Sequence, residues 1–324
     1  MLNIYTHTKK IFSKEYLKYT LAKFTGRNRG PLAVANSLVR GLKELNVEYR
    51  INPRYSTLKA TDVVHVISGI QAAKDLIALR KKGRIKRLTA GPNLTLAPHE
   101  ENSLYMSPEI EKILFPSEWP KNYFVEFDKI FNEKIDIWPA GVKDPGTPKK
   151  PVKSRDFTCL LYIKNSPIEL IKKIQDVLLD KKIPTTILEY GKFNQKEFFS
   201  ALEKVAFMIY VSPTESQGLA LHEAWMRDIP TLVWNRGYWE YKGHTVYFDK
   251  ISAPYLTPAC GIFFKNSHEF RDMLEYFHKI RDHFEPRAYN LSKFTDALTA
   301  SIFLKKIEKT HEKITTEDNP PTGN

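Results

Sequence analysis

Cysteine is nearly absent from this sequence: Cys159 and Cys260 are the only two in 324 residues. Two thiols exclude a disulfide framework, and no Cys/His cluster has the spacing of a zinc site. No stretch approaches the ~18 apolar residues of a membrane span. The opening residues lack the apolar core of a secretory signal, so a reducing cytosol is the expected compartment. No Asp-x-Asp occurs anywhere, which removes a common way of holding a divalent cation. No internal repeat is visible.

What is abundant is positive charge. Fifty Lys and Arg face 37 Asp and Glu, a formal net charge of +13. That excess favours anionic partners such as a nucleotide, an acidic lipid surface or an anionic glycan. Nucleic acid is not the expected partner, because no helix-turn-helix, zinc or RNP-like pattern accompanies the charge. The densest run joins Arg80, Lys81, Lys82, Arg84, Lys86 and Arg87. A solvated helix end is its ordinary meaning; a peripheral contact with anionic membrane is the alternative.

Hydrophobic residues make up 42% of the chain, enough for ordinary cores. Short apolar runs alternate with helical periods. In the first half, strands are expected at 3–6, 62–67, 87–90 and 112–116, with helices over 32–45 and 72–82. Residues 139–151 are rich in Pro, Gly and Lys and read as a boundary. A second series follows, with strands at 157–163, 185–190, 206–211 and 231–234 and helices at 168–179, 196–204 and 217–227. Further helical periods cover 268–280 and 295–307. Such alternation predicts parallel sheets with helices on both faces, in two doubly wound domains. The domains are expected at 1–145 and 152–290, with helix 295–307 packing back on the first and 308–324 a frayed tail.

One turn in the second series carries a chemical signal. Strand 206–211 runs into Ser212-Pro-Thr-Glu-Ser-Gln-Gly218 and then into a helix. The open N–H groups of a helix's first turn, with its dipole, make an anion site. Gly218 lets a ligand approach the backbone closely, and Ser216 or Thr214 is placed to cap the helix. Glu215 and Glu223 flank the turn. Carboxylates are poor phosphate ligands but accept hydrogen bonds from paired hydroxyls. A sugar diphosphate fits this pattern, with phosphates on the amides and hydroxyls on the glutamates. The plain alternative is a helix with two solvated glutamates.

The stretch from Ser212 to Trp234 resembles the Glu-x7-Glu signature of family 4 glycosyltransferases, which are retaining enzymes of the two-domain GT-B type. The likeness covers the turn, both glutamates, the Gly-Leu after the first, the Glu-Ala at the second and the Ile-Pro-Thr-Leu-Val that enters the next strand. It implies a GT-B fold, two Rossmann-like domains facing each other across a cleft, and a nucleoside-diphosphate sugar as donor. Glu215 is then the catalytic residue, at the donor sugar, and Glu223 reads the ribose. Ser216, Gln217, Gly218 and Leu219 line the sugar or diphosphate. Lys164 matches a phosphate-binding lysine of the family, but the arginine expected before it is missing, with Cys159 in its place. Gly191 falls where relatives contact the base. The Gly30 loop, with Arg27 and Arg29, matches a loop over the phosphates and acceptor, and Asn93 follows a first-domain strand that could line the cleft.

His65 falls on a family strand whose second histidine is Ile67 here, so no catalytic histidine is assigned, and His222 is left out. The aromatics from Tyr238 to Tyr241 read as packing, with sugar stacking as the alternative. The resemblance implies transfer to a glycan or lipid-linked acceptor, with no cofactor and no metal; cationic side chains and helix amides take a metal's place. Within the same fold a nucleotide-sugar epimerase is the alternative, and a basic nucleic-acid-binding protein the reading from another class.

Overall fold

The computed structural model describes residues 1–8, 16–17, 30–148 and 151–308. They fall into two compact units. Arg27 and Arg29 lie outside the described residues, as does the expected tail beyond Glu308.

Unit 1 takes the chain to Gly141 and the stretch from Asp296 onward. Its strands are β1 (Leu2–Tyr5), β2 (Tyr49–Ile51), β3 (Val63–Ser68), β4 (Arg87–Asn93), β5 (Lys112–Phe115) and β6 (Ile135–Ile137). They form one sheet in the order β2-β1-β3-β4-β5-β6, parallel throughout. Apolar runs such as Val64, Val66 and Leu88 are fully buried, as expected of parallel strands covered on both faces. Helices α1 (Gly30–Glu44), α2 (Ile70–Lys81) and α3 (Glu118–Phe127) belong to this unit.

The last described helix, Asp296–Glu308, also belongs to unit 1. It packs on α1 so closely that a Cβ on Gly41 would lie 2.1 Å from the Asp296 carbonyl oxygen. Arg40 donates to both oxygens of the buried Asp296 carboxylate, at 2.5 and 3.0 Å. The Trp138 indole donates to the Thr299 carbonyl at 3.0 Å.

Unit 2 runs from Val142 to Thr295. Its strands β7 (Cys159–Ile163), β8 (Thr185–Glu189), β9 (Phe207–Val211), β10 (Thr231–Trp234) and β13 (Gly261–Phe264) form a parallel sheet in the order β13-β10-β9-β7-β8. Read in chain order this is 2-1-3-4-5, a doubly wound topology. Helices α4 (Ile168–Asp180), α5 (Gln195–Leu202), α6 (Leu219–Trp225), α7 (Ser267–Ile280) and α8 (Pro286–Lys293) alternate with it. Two apolar clusters lie in this unit, one holding Met208, Leu221 and Trp225, the other Ile209, Leu232 and Phe270. The aromatic run after Trp234 is a hairpin, β11 (Tyr238–Tyr241) with β12 (His244–Tyr247), in which Trp239 and Tyr241 stack at 5.1 Å.

Candidate active site

A doubly wound sheet binds ligands at the carboxyl ends of its strands, where the strand order reverses. In unit 2 that point lies between β7 and β9. Lys164 follows the first of these strands and the Ser212–Gly218 turn follows the second. Sheet pairing continues into the loop, for the Lys164 N–H donates to the Val211 carbonyl at 2.8 Å. The topology therefore brings together two segments separated by 51 residues of sequence.

The Lys164 ammonium donates to Glu215 Oε1 at 2.7 Å. The same oxygen accepts from the Tyr210 hydroxyl at 2.6 Å and from Ser212 Oγ at 2.9 Å. Glu215 is 9% exposed, and burying a carboxylate is costly unless charges and donors compensate it. Here a cation and two hydroxyls do so. The Glu215 backbone N–H donates to the Ile251 carbonyl at 2.9 Å, which pins the turn. Burial works against the Lys164 charge, but the adjacent Glu215 outweighs it and holds the ammonium above the ordinary lysine range. Its Nζ also lies 5.1 Å from the Tyr190 ring centroid.

Gly218 sits at φ 84°, ψ 57°, the left-handed region that suits glycine, and is the N-cap of α6. This corrects the expected capping. The cap position is taken by Gly218, which has no side chain, rather than by Ser216 or Thr214; Thr214 Oγ1 is buried without a hydrogen-bond partner. The helix starts at Leu219, two residues later than expected, because the left-handed turn at Gly218 delays entry. Glu223 is consequently the fifth residue of α6. Its Oε1 accepts from Gln195 Nε2 at 2.9 Å. Ser216 is exposed and Gln217 buried. Gly191 is an exposed residue just past the end of β8.

Gly30 and Asn93 lie in unit 1. Gly30 is the exposed first residue of α1, and Asn93 ends β4 with its Nδ2 buried and unpaired. The buried histidines His65 and His222 are packing residues. His65 Nδ1 lies 2.8 Å from Thr89 Oγ1 and the ring meets Trp138 and Phe303 edge-on. His222 Nδ1 lies 2.8 Å from Asn290 Oδ1.

Sequence reasoning passed over Tyr210, Ser212 and Gln195. The signal for Tyr210 was present: it is the single polar side chain in the buried strand Phe-Met-Ile-Tyr-Val, and a buried phenol needs a hydrogen-bond partner. Among the described residues, no group of three His, Cys, Asp or Glu side chains could hold a metal ion.

The architecture is that of GT-B glycosyltransferases, mixed α/β with two Rossmann-like units built on parallel sheets. The lipopolysaccharide outer core galactosyltransferase WaaB, in apo form, is similar at TM-score 0.58 and 12% identity, over 95% of this chain and 99% of that one. WaaG, a glycosyltransferase involved in lipopolysaccharide biosynthesis, is similar at TM-score 0.53 and 8% identity, over 96% and 100%. A mutant of S. aureus TarM, in complex with fondaparinux, alpha-GlcNAc-glycerol and UDP, matches at TM-score 0.53 and 12% identity, over 85% of this chain and 58% of that one. No protein-family model and no curated protein sequence matches the chain.

Proposed function

We propose that this protein is a retaining, metal-independent glycosyltransferase that moves a sugar from a nucleoside-diphosphate donor to a glycan or lipid-linked acceptor. The observation that carries the reading is the Lys164–Glu215 pair at the switch point of unit 2, beside a left-handed glycine that opens a helix. Lys164 supplies the positive charge a diphosphate requires, and the amides of Gly218 and Leu219 supply donors. Glu215 fixes the lysine and stands at the donor sugar. Glu223, held by Gln195, takes the ribose hydroxyls, and Gly191 lines the base. Ser216 and Gln217 complete the donor side. Gly30, Asn93, Arg27 and Arg29 serve the acceptor and the phosphates. The TarM complex named above holds UDP, and the starch synthase IV catalytic domain of Arabidopsis thaliana, TM-score 0.52 at 8% identity, is bound to ADP and acarbose; both support this choice of ligand class.

The reading places the protein in the cytoplasm, with peripheral contact to anionic membrane. Among the described residues no helix is long and apolar enough to cross a membrane. Its test is a thermal-shift panel of UDP-, GDP-, ADP- and CMP-sugars in excess EDTA. A donor at ~100 times its Kd adds about 2.7 kcal/mol, so one sugar nucleotide should raise the Tm by several degrees. A flat response to all four, or a response only with Mg²⁺ or Mn²⁺, overturns it.

A further inference from the structure

β9 is the middle strand of the unit 2 sheet, between β10 and β7. All five of its side chains are buried. Phe207, Ile209 and Val211 enter one apolar cluster; Met208 and Tyr210 enter the other. An aliphatic residue or Phe in place of Tyr210 would suit that core without a polar atom. The ring of Tyr210 stacks on Tyr162 at 4.8 Å and 16°, which explains an aromatic but not a hydroxyl.

The hydroxyl goes to Glu215 Oε1, the oxygen that also receives Lys164. Burial, with the Glu215 charge next, raises the Tyr210 phenol far above its ordinary range. It stays protonated at any working pH and can only donate to the carboxylate. A short hydrogen bond from a neutral donor withdraws negative charge from that oxygen. The same charge is what holds the lysine. A diphosphate arriving at Lys164 must compete with Glu215 for the ammonium, so the strength of that grip sets how much of the lysine's charge is on offer.

We propose that Tyr210 is a positioning residue: its phenol shares the Glu215 carboxylate with Lys164 and thereby keeps the lysine available to a diphosphate. Without the phenol, Glu215 draws Lys164 in more tightly and the phosphates lose their cation. Ser212 Oγ contributes to the same oxygen, but it also lies 3.2 Å from the Thr214 carbonyl, and its one proton is divided. This inference rests on the reading of the turn as a diphosphate site.

The experiment measures affinity for inorganic pyrophosphate, which carries the part common to all such donors, by calorimetry at fixed salt. The proteins are the full chain, Tyr210→Phe, Glu215→Gln, the double variant and Lys164→Gln. Phe keeps the stack on Tyr162, and a melting curve for each variant confirms the fold. Loss of a hydrogen bond to a charged group is worth about tenfold or more. Tyr210→Phe should therefore weaken pyrophosphate about tenfold in the wild-type background. In the Glu215→Gln background it should change affinity less than twofold, since a neutral amide no longer sequesters the lysine. Equal effects in both backgrounds, or no effect of Tyr210→Phe while Lys164→Gln weakens binding, would overturn this inference alone. Pyrophosphate affinity unchanged by Lys164→Gln overturns the diphosphate reading itself.

Discussion

Lys164 and Glu215 form an ion pair at 2.7 Å across the switch point of a doubly wound sheet, the lysine after β7 and the glutamate after β9. Neither residue is fully exposed, and the glutamate is nearly buried. A buried ion pair is weak evidence for stability, because desolvation offsets most of its attraction. The pair is better understood as a cation held ready at the place where this topology binds anions.

At the candidate site, backbone conformation matters at Gly218. Its φ of 84° is strained for any other residue, and an added Cβ would lie 2.9 Å from Leu221 Cδ1. Gly218→Ala should cost about 1–2 kcal/mol in the left-handed region. That is roughly a 2–8 °C drop in Tm for a unit of this size. The same change should weaken nucleotide binding, since the turn sets the direction of the first helical amides. Differential scanning calorimetry beside nucleotide titration measures both; an unchanged Tm would show that the turn tolerates a side chain.

Acid should weaken the fold through its buried histidines. Burial lowers the His65 imidazole to about 3 and that of His222 to about 4. Both therefore stay neutral when folded while the unfolded chain protonates them near 6.5. A lowered histidine contributes stability above its unfolded value, lost as pH falls towards the folded one. Each should cost about 1.4 kcal/mol per pH unit below ~6.5, levelling off near 3 to 4. Urea unfolding between pH 7 and 4 checks this. A His222→Gln variant should show a shallower slope than wild type; an identical slope would refute the assignment.

The basic run is divided by its ion pairs. Arg80 and Arg87 pair with Glu111, and Lys81 lies 3.9 Å from Glu109. Lys82, Arg84 and Lys86 are exposed. At about 1 kcal/mol per basic residue near an acidic lipid surface, replacing these three by Gln should cut binding to anionic vesicles by around a hundredfold. Replacing Arg80 or Arg87 should chiefly destabilise unit 1. Vesicle co-sedimentation separates the two sets. Equal binding by the wild type and the triple variant removes this run from any membrane contact.

Much of the fold was legible because strands of parallel sheets are continuous apolar runs, as in Val63–Ser68 and Phe207–Val211. The hairpin at Tyr238–Tyr247 escaped because its aromatics mask the alternation. Its turn signal was there: Lys242 and Gly243 both take positive φ, 49° and 80°, as a two-residue hairpin turn requires. Helix Glu118–Phe127, with Pro120 in its first turn where proline is tolerated, lies in a stretch for which no element was expected. At the candidate site, Glu215, Glu223 and Gly218 stood out by motif. The pairing of Lys164 with Glu215 did not, since only the 2-1-3-4-5 strand order makes the ends of β7 and β9 neighbours. Tyr210 was hidden for a similar reason: its partner lies in a turn whose path back over the strand end no local pattern specifies.

The central claim is that the Lys164–Gly218 region binds a nucleoside diphosphate, with Glu223 reading the ribose. Calorimetry of UDP, GDP and ADP against wild type, Lys164→Gln and Glu223→Gln, in EDTA, tests it most directly. One nucleotide should bind the wild type. Each substitution removes a charged hydrogen bond worth roughly 1.5–3 kcal/mol and should weaken binding by about ten- to a hundredfold. Only Lys164→Gln should weaken inorganic pyrophosphate, which has no ribose. Unchanged nucleotide affinity in both variants, or no nucleotide binding by the wild type, would contradict the account.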